Sequence, residues 1–450
     1  MEVGAGPDRG SNHPRGGRGG GPQGRGLSAA AESAFPEGAR PSATVGRLAP
    51  EGWNSGRFSM QKVFLKKGRE GPVLRGHPWI FSGAIERVEG DSEKADVVDV
   101  SDSEGLWLAR GLSNPRSQIR VRLLTWEQED IDEGFFTRRL SRAAALRQQY
   151  LPPSTNAYRI VNGEGDFLPG LVVDRYDDFF VCQFLTAGMD HLKGMVVDSL
   201  AKLFAIKGIY ERSEGGVRGE EGLPPASGVL AGEEPPDLIR IEENQLTFLV
   251  DLRQGQKTGF FLDQRDNRLL LLSLAKDKTV LNCFAYTGAF AAYALKGGAR
   301  RVISVESSRS ALELAKQNSA LNGLAPSESD FVRADAFAYL KGCQHGFDIV
   351  VLDPPSLAPK RADVAAASGS YKFLNLHAFR VLKPGGLLLT FCCSQHLSQD
   401  LFQKIAFGAA MDSGRKVQIL RRLGHPLDHP VSLHHPEGEY LKGLLLNVLE

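Results

Sequence analysis

The sequence predicts an α/β protein of several domains. Its largest part is a seven-stranded sheet wrapped by helices, preceded by a small β-barrel and a middle α+β domain. Three observations carry this expectation. From Thr279 onward, short apolar runs alternate strictly with amphipathic stretches, as repeated βα units do. From Gln61 to about Trp126 the chain breaks into short strands between Gly- and Pro-marked turns. And 450 residues, at roughly 100–200 per domain, call for two to four hydrophobic cores.

Composition narrows the class. With 54 Lys+Arg against 53 Asp+Glu the net charge is +1, which argues against a uniformly basic nucleic-acid coat protein but leaves room for a local basic face. No apolar run approaches the ~18 residues that span a bilayer, so no membrane role is expected. The five cysteines (182, 283, 343, 392 and 393) show no C-x-x-C spacing, so neither a disulfide framework nor a zinc ribbon is indicated. A reducing cytoplasmic location fits best.

Residues 1–59 hold 14 Gly and 6 Pro and no hydrophobic periodicity, so they read as a disordered Gly/Arg-rich tail. The run Arg15-Gly16-Gly17-Arg18-Gly19-Gly20 could touch RNA loosely, and Met60 sits where the folded pattern begins. Residues 60–130 read as the barrel, with strands such as Gln61–Leu65 and the alternating Gln118–Leu123. Basic side chains gather at its two ends: Lys66, Lys67, Arg69 and Arg75, then Arg110, Arg116, Arg120 and Arg122, with Trp79, Phe81 and Trp107 interleaved. Basic plus aromatic on a small barrel suits RNA, though solvated charges over an aromatic core account for the same residues.

The middle domain, 131–250, begins with a helix over Gly134–Tyr150 that Pro152-Pro153 ends, and contains a second helix over Met189–Phe204. Strands are expected at Tyr158–Val161, Gly170–Tyr176, Phe179–Phe184, Leu238–Ile241 and Leu246–Val250, with loop in Ser213–Asp237. Over 251–450 the parallel strands are Val280–Phe284, Arg301–Val305, Asp330–Arg333, Asp348–Leu352 and Gly386–Cys392. Helices fall at Gly288–Lys296, Ser308–Asn322, Ala334–Lys341, Tyr371–Leu382 and Ser398–Met411, and Lys416–Leu420 and Leu441–Val448 complete a Rossmann-like sheet. Ligands of such sheets sit at the carboxyl ends of the strands.

Those ends carry the chemistry. The first strand runs into Phe284-Ala285-Tyr286-Thr287-Gly288, where only one glycine of a G-x-G-x-x-G fingerprint is present, so a pyrophosphate is not expected. Glu306 ends the second strand, placed for both hydroxyls of a ribose, and Asp335 follows the third, placed for an adenine amino group. Together they outline a pocket for an adenosine without a phosphate chain, for which S-adenosyl-L-methionine is the common ligand. The fourth strand stops at Asp353-Pro354-Pro355-Ser356, because two prolines cannot extend a central strand; Asp353 at the tip can orient a planar base. The fifth ends in Cys392-Cys393-Ser394. Adjacent residues alternate across a strand, so one thiol faces the packed side and the other the crevice. A thiolate there can add to carbon-6 of a cytosine, which makes carbon-5 nucleophilic toward a methyl sulfonium; Cys393 is the candidate. His425, His429, His434 and His435 lie among prolines with no carboxylate or thiol at ligand spacing, so they read as a loop over the crevice rather than a metal site. Gly255-Gln256-Lys257-Thr258 lacks the adjacent Gly-Lys of a phosphate-binding loop, which argues against ATP.

From Gln61 to Leu449 the chain resembles the class I S-adenosylmethionine-dependent RNA methyltransferases with an N-terminal PUA domain, most closely the bacterial large-subunit ribosomal RNA cytosine-C5 methyltransferases. The resemblance rests on Leu65–Glu70, Gly76–Gly83, the long and specific run Gly255–Arg265, Asp353–Ser356, Cys393-Ser394 and Pro436–Gly443. It implies that the barrel is an RNA-binding PUA domain and that Gly255–Arg265 covers the cofactor, with Phe260, Gln264 and Arg265 as contacts. It also implies that Cys393 occupies the nucleophile position. Cys392 departs from the family, where a small hydroxyl residue is expected. Two other readings stay open on the residues alone: an RNA methyltransferase acting on an exocyclic base amine, and a non-catalytic RNA-binding assembly factor. The sequence leaves the oligomeric state open, a homodimer included.

Overall fold

The computed structural model describes residues 61–90, 96–344 and 346–449; the tail expected over 1–59 lies outside them. The first unit is a six-stranded sheet built from β1 (Gln61–Leu65), β2 (Trp79–Phe81), β3 (Ile85–Glu89), β4 (Val97–Ser101), β5 (Trp107–Ser113) and β6 (Ile119–Thr125). A one-turn helix, α1 (Gly71–Leu74), follows β1. The strand order is β2-β6-β5-β4-β1-β3, and Val63, Leu65, Val98, Val100, Val121 and Leu123 share one core. β-branched side chains dominate it, as suits a half-buried pleated surface.

The middle region opens with α2 (Glu133–Tyr150), whose N-cap Asp132 accepts from the amide of Phe135 at 2.7 Å. Next come β7 (Ala157–Asn162), β8 (Leu171–Tyr176) and β9 (Phe179–Phe184). The single helix expected over Met189–Phe204 is two, α3 (Ala187–His191) and α4 (Lys193–Leu203). Thr186 caps α3, which starts two residues before the expected Met189, and Leu192 breaks the run. β10 (Gly208–Ser213) leads into the segment expected to contain loop, which also holds α5 (Gly216–Glu220) and β11 (Ala226–Gly232). In Ala226–Gly232 only Val229 favours a strand locally; antiparallel pairing with β10 makes the segment the edge of a five-stranded sheet. A hairpin of β12 (Ile239–Glu243) and β13 (Leu246–Val250) joins it to the last region.

There α6 (Arg265–Leu274) precedes β14 (Thr279–Cys283), α7 (Ala289–Lys296), β15 (Arg301–Glu306), α8 (Arg309–Leu321), β16 (Phe331–Arg333) and α9 (Ala336–Gly342). β17 (Phe347–Leu352), α10 (Val364–Val381), β18 (Leu382–Cys392), α11 (Gln399–Ser413), β19 (Val417–Leu423) and β20 (Lys442–Val448) complete it. The seven strands run in the order β16-β15-β14-β17-β18-β20-β19, parallel except that β20 is antiparallel to both of its neighbours. Helices α9, α10 and α11 pack on one face and α6 and α7 on the other. α10 starts seven residues before the expected Tyr371. Ser368 and Ser370 look like helix breakers, but their hydroxyls donate back to the carbonyls of Val364 and Ala366 at 2.7 and 3.3 Å and are absorbed into the helix. Among the described residues no helix is long and apolar enough to cross a membrane.

Candidate active site

The order of the sheet brings the carboxyl ends of β14, β15, β17 and β18 together. A cleft opens there, with a cavity volume of about 150 Å³. Of the residues expected to form a site, Phe260, Gln264, Phe284, Tyr286, Thr287, Glu306, Asp353 and Cys393 all line it.

The turn after β14 is held in a costly conformation. Phe284 and Tyr286 have positive φ (59° and 47°), as does Gly288 (80°), and bulky side chains rarely adopt that region. Two clamps hold it. The Tyr286 amide donates to Glu306 Oε2 at 2.9 Å. The Tyr286 hydroxyl accepts from the Gln256 amide (2.8 Å) and donates to the Gly259 carbonyl (3.2 Å), tying the turn to the Gly255–Gly259 loop. Glu306 Oε1 accepts from the Ser308 amide at 2.9 Å, so this carboxylate fixes the turn as well as facing the cleft.

Asp353 stands at the tip of β17 with Gln264 Nε2 donating to its Oδ1 at 2.9 Å. Burial, reinforced by the nearby Asp263 carboxylate, pushes its carboxyl up to about 7. The loop beyond it is pinned by Ser394, whose Oγ lies 3.1 Å from Ser356 Oγ and accepts from the Ala358 amide at 3.1 Å. The two cysteines at the end of β18 separate as strand alternation requires. Cys392 is fully buried in the core under α10 and α11, whereas Cys393 is part-exposed in the cleft, its Sγ 3.7 Å from the Pro354 carbonyl.

Three expected contacts are not among the lining residues. The space a Cβ would need at Gly288 is taken by Ala315 of α8, 2.8 Å away, so helix packing requires a glycine there. Arg265 is buried and gives both terminal nitrogens to Asp428 at 2.6 and 3.0 Å. Asp335 is exposed and caps α9, accepting from the Ala338 amide at 2.8 Å. Conversely, Lys257, Asp263 and Arg268 line the cleft although no motif marks them as site residues; only the resemblance of Gly255–Arg265 points to the first two.

Of the two basic ends of the first unit, one is largely spent internally. Arg110 is paired with Asp99 (2.8 Å) and Arg122 with Glu221 (2.8 Å). Trp107 Nε1 donates to Asp99 (3.0 Å) and Trp79 Nε1 to Glu164 (2.8 Å), which ties Trp79 to the middle region. Lys66, Lys67, Arg69 and Arg75 are all exposed in the segment around α1. That segment touches the C-terminal loop, where His434 Nδ1 lies 2.7 Å from the Arg75 carbonyl. The loop's other histidines also have protein neighbours. His425 Nε2 accepts from the Leu441 amide (3.1 Å), His429 Nδ1 meets Asp428 (3.1 Å), and the His435 ring packs on Trp79 with centroids 4.3 Å apart.

Comparison with known proteins agrees with this layout. A family described as S-adenosylmethionine-dependent methyltransferase matches residues 223–433, and a PUA-like domain matches residues 63–126. The Ribosomal RNA large subunit methyltransferase I of Tolumonas auensis is 48% identical over 393 residues, covering 86% of this chain and 99% of its own. The same-named protein of Aeromonas salmonicida is 47% identical over 389 residues, covering 85% and 98%. Among solved structures, SMU.776, assigned as a methyltransferase and complexed with SAH, superposes with a TM-score of 0.76 at 25% identity, covering 86% of this chain and 100% of that one. On this identity and coverage the chain belongs to the ribosomal RNA large subunit methyltransferase I family of S-adenosylmethionine-dependent methyltransferases, with a PUA-like domain over residues 63–126.

Proposed function

We propose that this protein methylates carbon-5 of a cytosine in large-subunit ribosomal RNA, in the cytoplasm, with Cys393 as the nucleophile. The observation that carries the reading is the parting of the two thiols: Cys393 lines the cleft beside Asp353, and Cys392 is locked in the core.

The residues present fit S-adenosylmethionine. Glu306 lines the cleft, where its carboxylate would accept from ribose hydroxyls, with Phe284 and Tyr286 beside it. Thr287 Oγ1 and Asp263 Oδ1 are buried without a protein partner among the described residues, and such orphaned atoms are what a bound ligand satisfies. The cofactor, when bound, supplies an electrophilic methyl group on a sulfonium. The chain's own residues do the rest. The Cys393 thiolate adds to carbon-6, carbon-5 becomes enamine-like and nucleophilic toward such a methyl, the carbon-5 proton then passes to cleft water, and the thiolate is expelled. Asp353, whose carboxyl holds a proton up to about pH 7, can donate it to ring nitrogen-3 and stabilise the adduct. The exposed Lys66, Lys67, Arg69 and Arg75 would meet phosphates of the same RNA.

The test is methyl transfer to undermodified large-subunit ribosomal RNA with labelled cofactor, followed by nucleoside analysis, for wild type and Cys393→Ala. Label in 5-methylcytidine that disappears in the variant is expected. Label in another nucleoside, or full activity without Cys393, refutes the reading in favour of exocyclic-amine chemistry. RNA binding without any transfer refutes it in favour of an assembly factor.

A further inference from the structure

We propose that Lys257, held in place by Asp263 and Tyr440, is the positioning residue that stabilises the Cys393 thiolate. Its role in catalysis rests on Cys393 as nucleophile.

The geometry sets Lys257 apart. It lines the same cleft as Cys393 and sits at a positive φ of 53° in the Gly255–Gly259 loop, a conformation that a lysine keeps only where its surroundings hold it. Its ammonium is bonded to Asp263 Oδ2 and lies over the faces of Phe261 (4.7 Å to the centroid) and Tyr440 (5.6 Å). Tyr440 donates to the same Asp263 oxygen at 2.8 Å, so the carboxylate's charge is shared between two donors. An ammonium bonded once keeps two further protons for an anion. The other cation lining the cleft, Arg268, is fully engaged: its Nε and Nη2 hold both oxygens of Glu243 at 2.9 and 2.7 Å.

Charge around the thiol makes such a partner necessary. Burial pushes the Cys393 thiol up to about 12, and Asp353, Asp263 and Cys392 push in the same direction; Lys257 opposes them. Lys442 and Tyr371 also face this strand end, but the Lys442 ammonium donates to the Ser394 carbonyl at 2.7 Å, the Tyr371 hydroxyl lies 3.2 Å from Ser394 Oγ, and neither lines the cleft. In the step proposed, the S–H bond breaks heterolytically, the proton passes to cleft water, and the electron pair stays on sulfur facing the Lys257 ammonium.

Peptide-resolved alkylation of the full chain by iodoacetamide tests this without cofactor or RNA, because only the thiolate attacks as iodide leaves. Lys257→Met should slow labelling of Cys393 about tenfold at each pH from roughly 7.5 to 9.5, equivalent to about one unit in the thiol pKa. Lys257→Arg, which keeps the cation, should stay within about threefold of wild type. Labelling of the part-exposed Cys343, which does not line the cleft, should not change. If Cys393 in Lys257→Met reacts within about twofold of wild type, the proposal is wrong. Should that variant loosen the fold, seen as new labelling of buried Cys182 and Cys283, the pair Lys257→Met/Asp263→Asn removes the stranded carboxylate. A rate in that pair within about twofold of Asp263→Asn alone also overturns the proposal, and about threefold slowing or more relative to that single variant supports it. Methyl transfer by Cys393→Ala is measured alongside. Activity there would remove the nucleophile reading while leaving the Lys257–Cys393 coupling decided by alkylation alone.

Discussion

Replacing Asp353 with Asn should make the protein more stable above neutral pH while abolishing its activity. In the native state burial and the Asp263 charge push the Asp353 carboxyl up to about 7, whereas in the unfolded chain it titrates near ~3.9. A raised carboxyl pKa means that the native state binds its proton more tightly than the unfolded state does. The stabilisation is therefore complete below the unfolded value and is lost as pH rises through about 7. Three units correspond to roughly 4 kcal/mol, of which about 2.5 kcal/mol falls between pH 5 and pH 9. Asp353 still touches the cleft, where water screens it, so about 1–1.5 kcal/mol is a sounder expectation. Asn keeps an oxygen for Gln264 Nε2 and has no charge to bury. The four tryptophans (53, 79, 107 and 126) all precede the catalytic sheet in sequence, so fluorescence is a poor probe of it. Amide exchange over Phe347–Leu352 reports on β17 directly. The opening free energy of the variant relative to wild type should rise by about 1 kcal/mol from pH 5 to pH 9. Parallel pH profiles for the two proteins would refute the reasoning, since a carboxylate that is ionised at both pH values contributes no slope. Methyl transfer by the same variant should fall by about 100-fold or more, as expected for loss of a positioned proton donor.

Other outcomes follow from the same contacts. Asp428→Ala strands the buried Arg265 and leaves the Arg159 amide, which donates to Asp428 at 3.0 Å, unpaired; the cost should be about 3–5 kcal/mol. A thermal midpoint lowered by about 5 °C or more is expected, and a drop under about 2 °C would mean that Arg265 finds another counterion. Alanine at Lys66, Lys67, Arg69 or Arg75 should weaken RNA binding and reduce the log–log salt slope by about 0.7 for each phosphate that the variant no longer neutralises. An unchanged slope across binding titrations in increasing KCl would place the RNA elsewhere.

What could be read from the sequence was whatever is periodic or local. The βα alternation after Thr279 corresponds to the seven-stranded order, and the strand ends at Phe284, Glu306, Asp353 and Cys393 meet at one edge of the sheet. Strand alternation alone was enough to part Cys392 from Cys393. What the sequence did not show shares a physical cause. Gly288 and Asp335 sit where nucleotide-binding sheets place ligand contacts, and the same positions also serve helix packing and an N-cap. The strand Ala226–Gly232 exists only through its pairing with β10. Tyr440 meets Asp263 across 177 residues of chain, and no pattern in a window of residues encodes such a meeting.

The C-terminal loop illustrates the same limit and also assigns a titration. Its histidines cluster in sequence and read as a loop over the crevice, and the positions of His434 and His435 are set by partners far away in sequence. Asp428 binds the Arg159 amide across 269 residues and Arg265 across 163, so the loop fastens the middle region to the catalytic sheet. Burial pushes His425 down to about 3, and its Nε2 must stay unprotonated to accept from the Leu441 amide. Burial lowers His429 as well, and Asp428 holds it as a hydrogen-bond partner. These two rings stay neutral at neutral pH, and the loop keeps its grip there. The thiol of Cys393 lies far above that range, at about 12, and Asp353 at about 7. A limb near neutrality in the rate profile is therefore the signature of Asp353 losing the proton it holds at the tip of β17, not of a histidine acting as base.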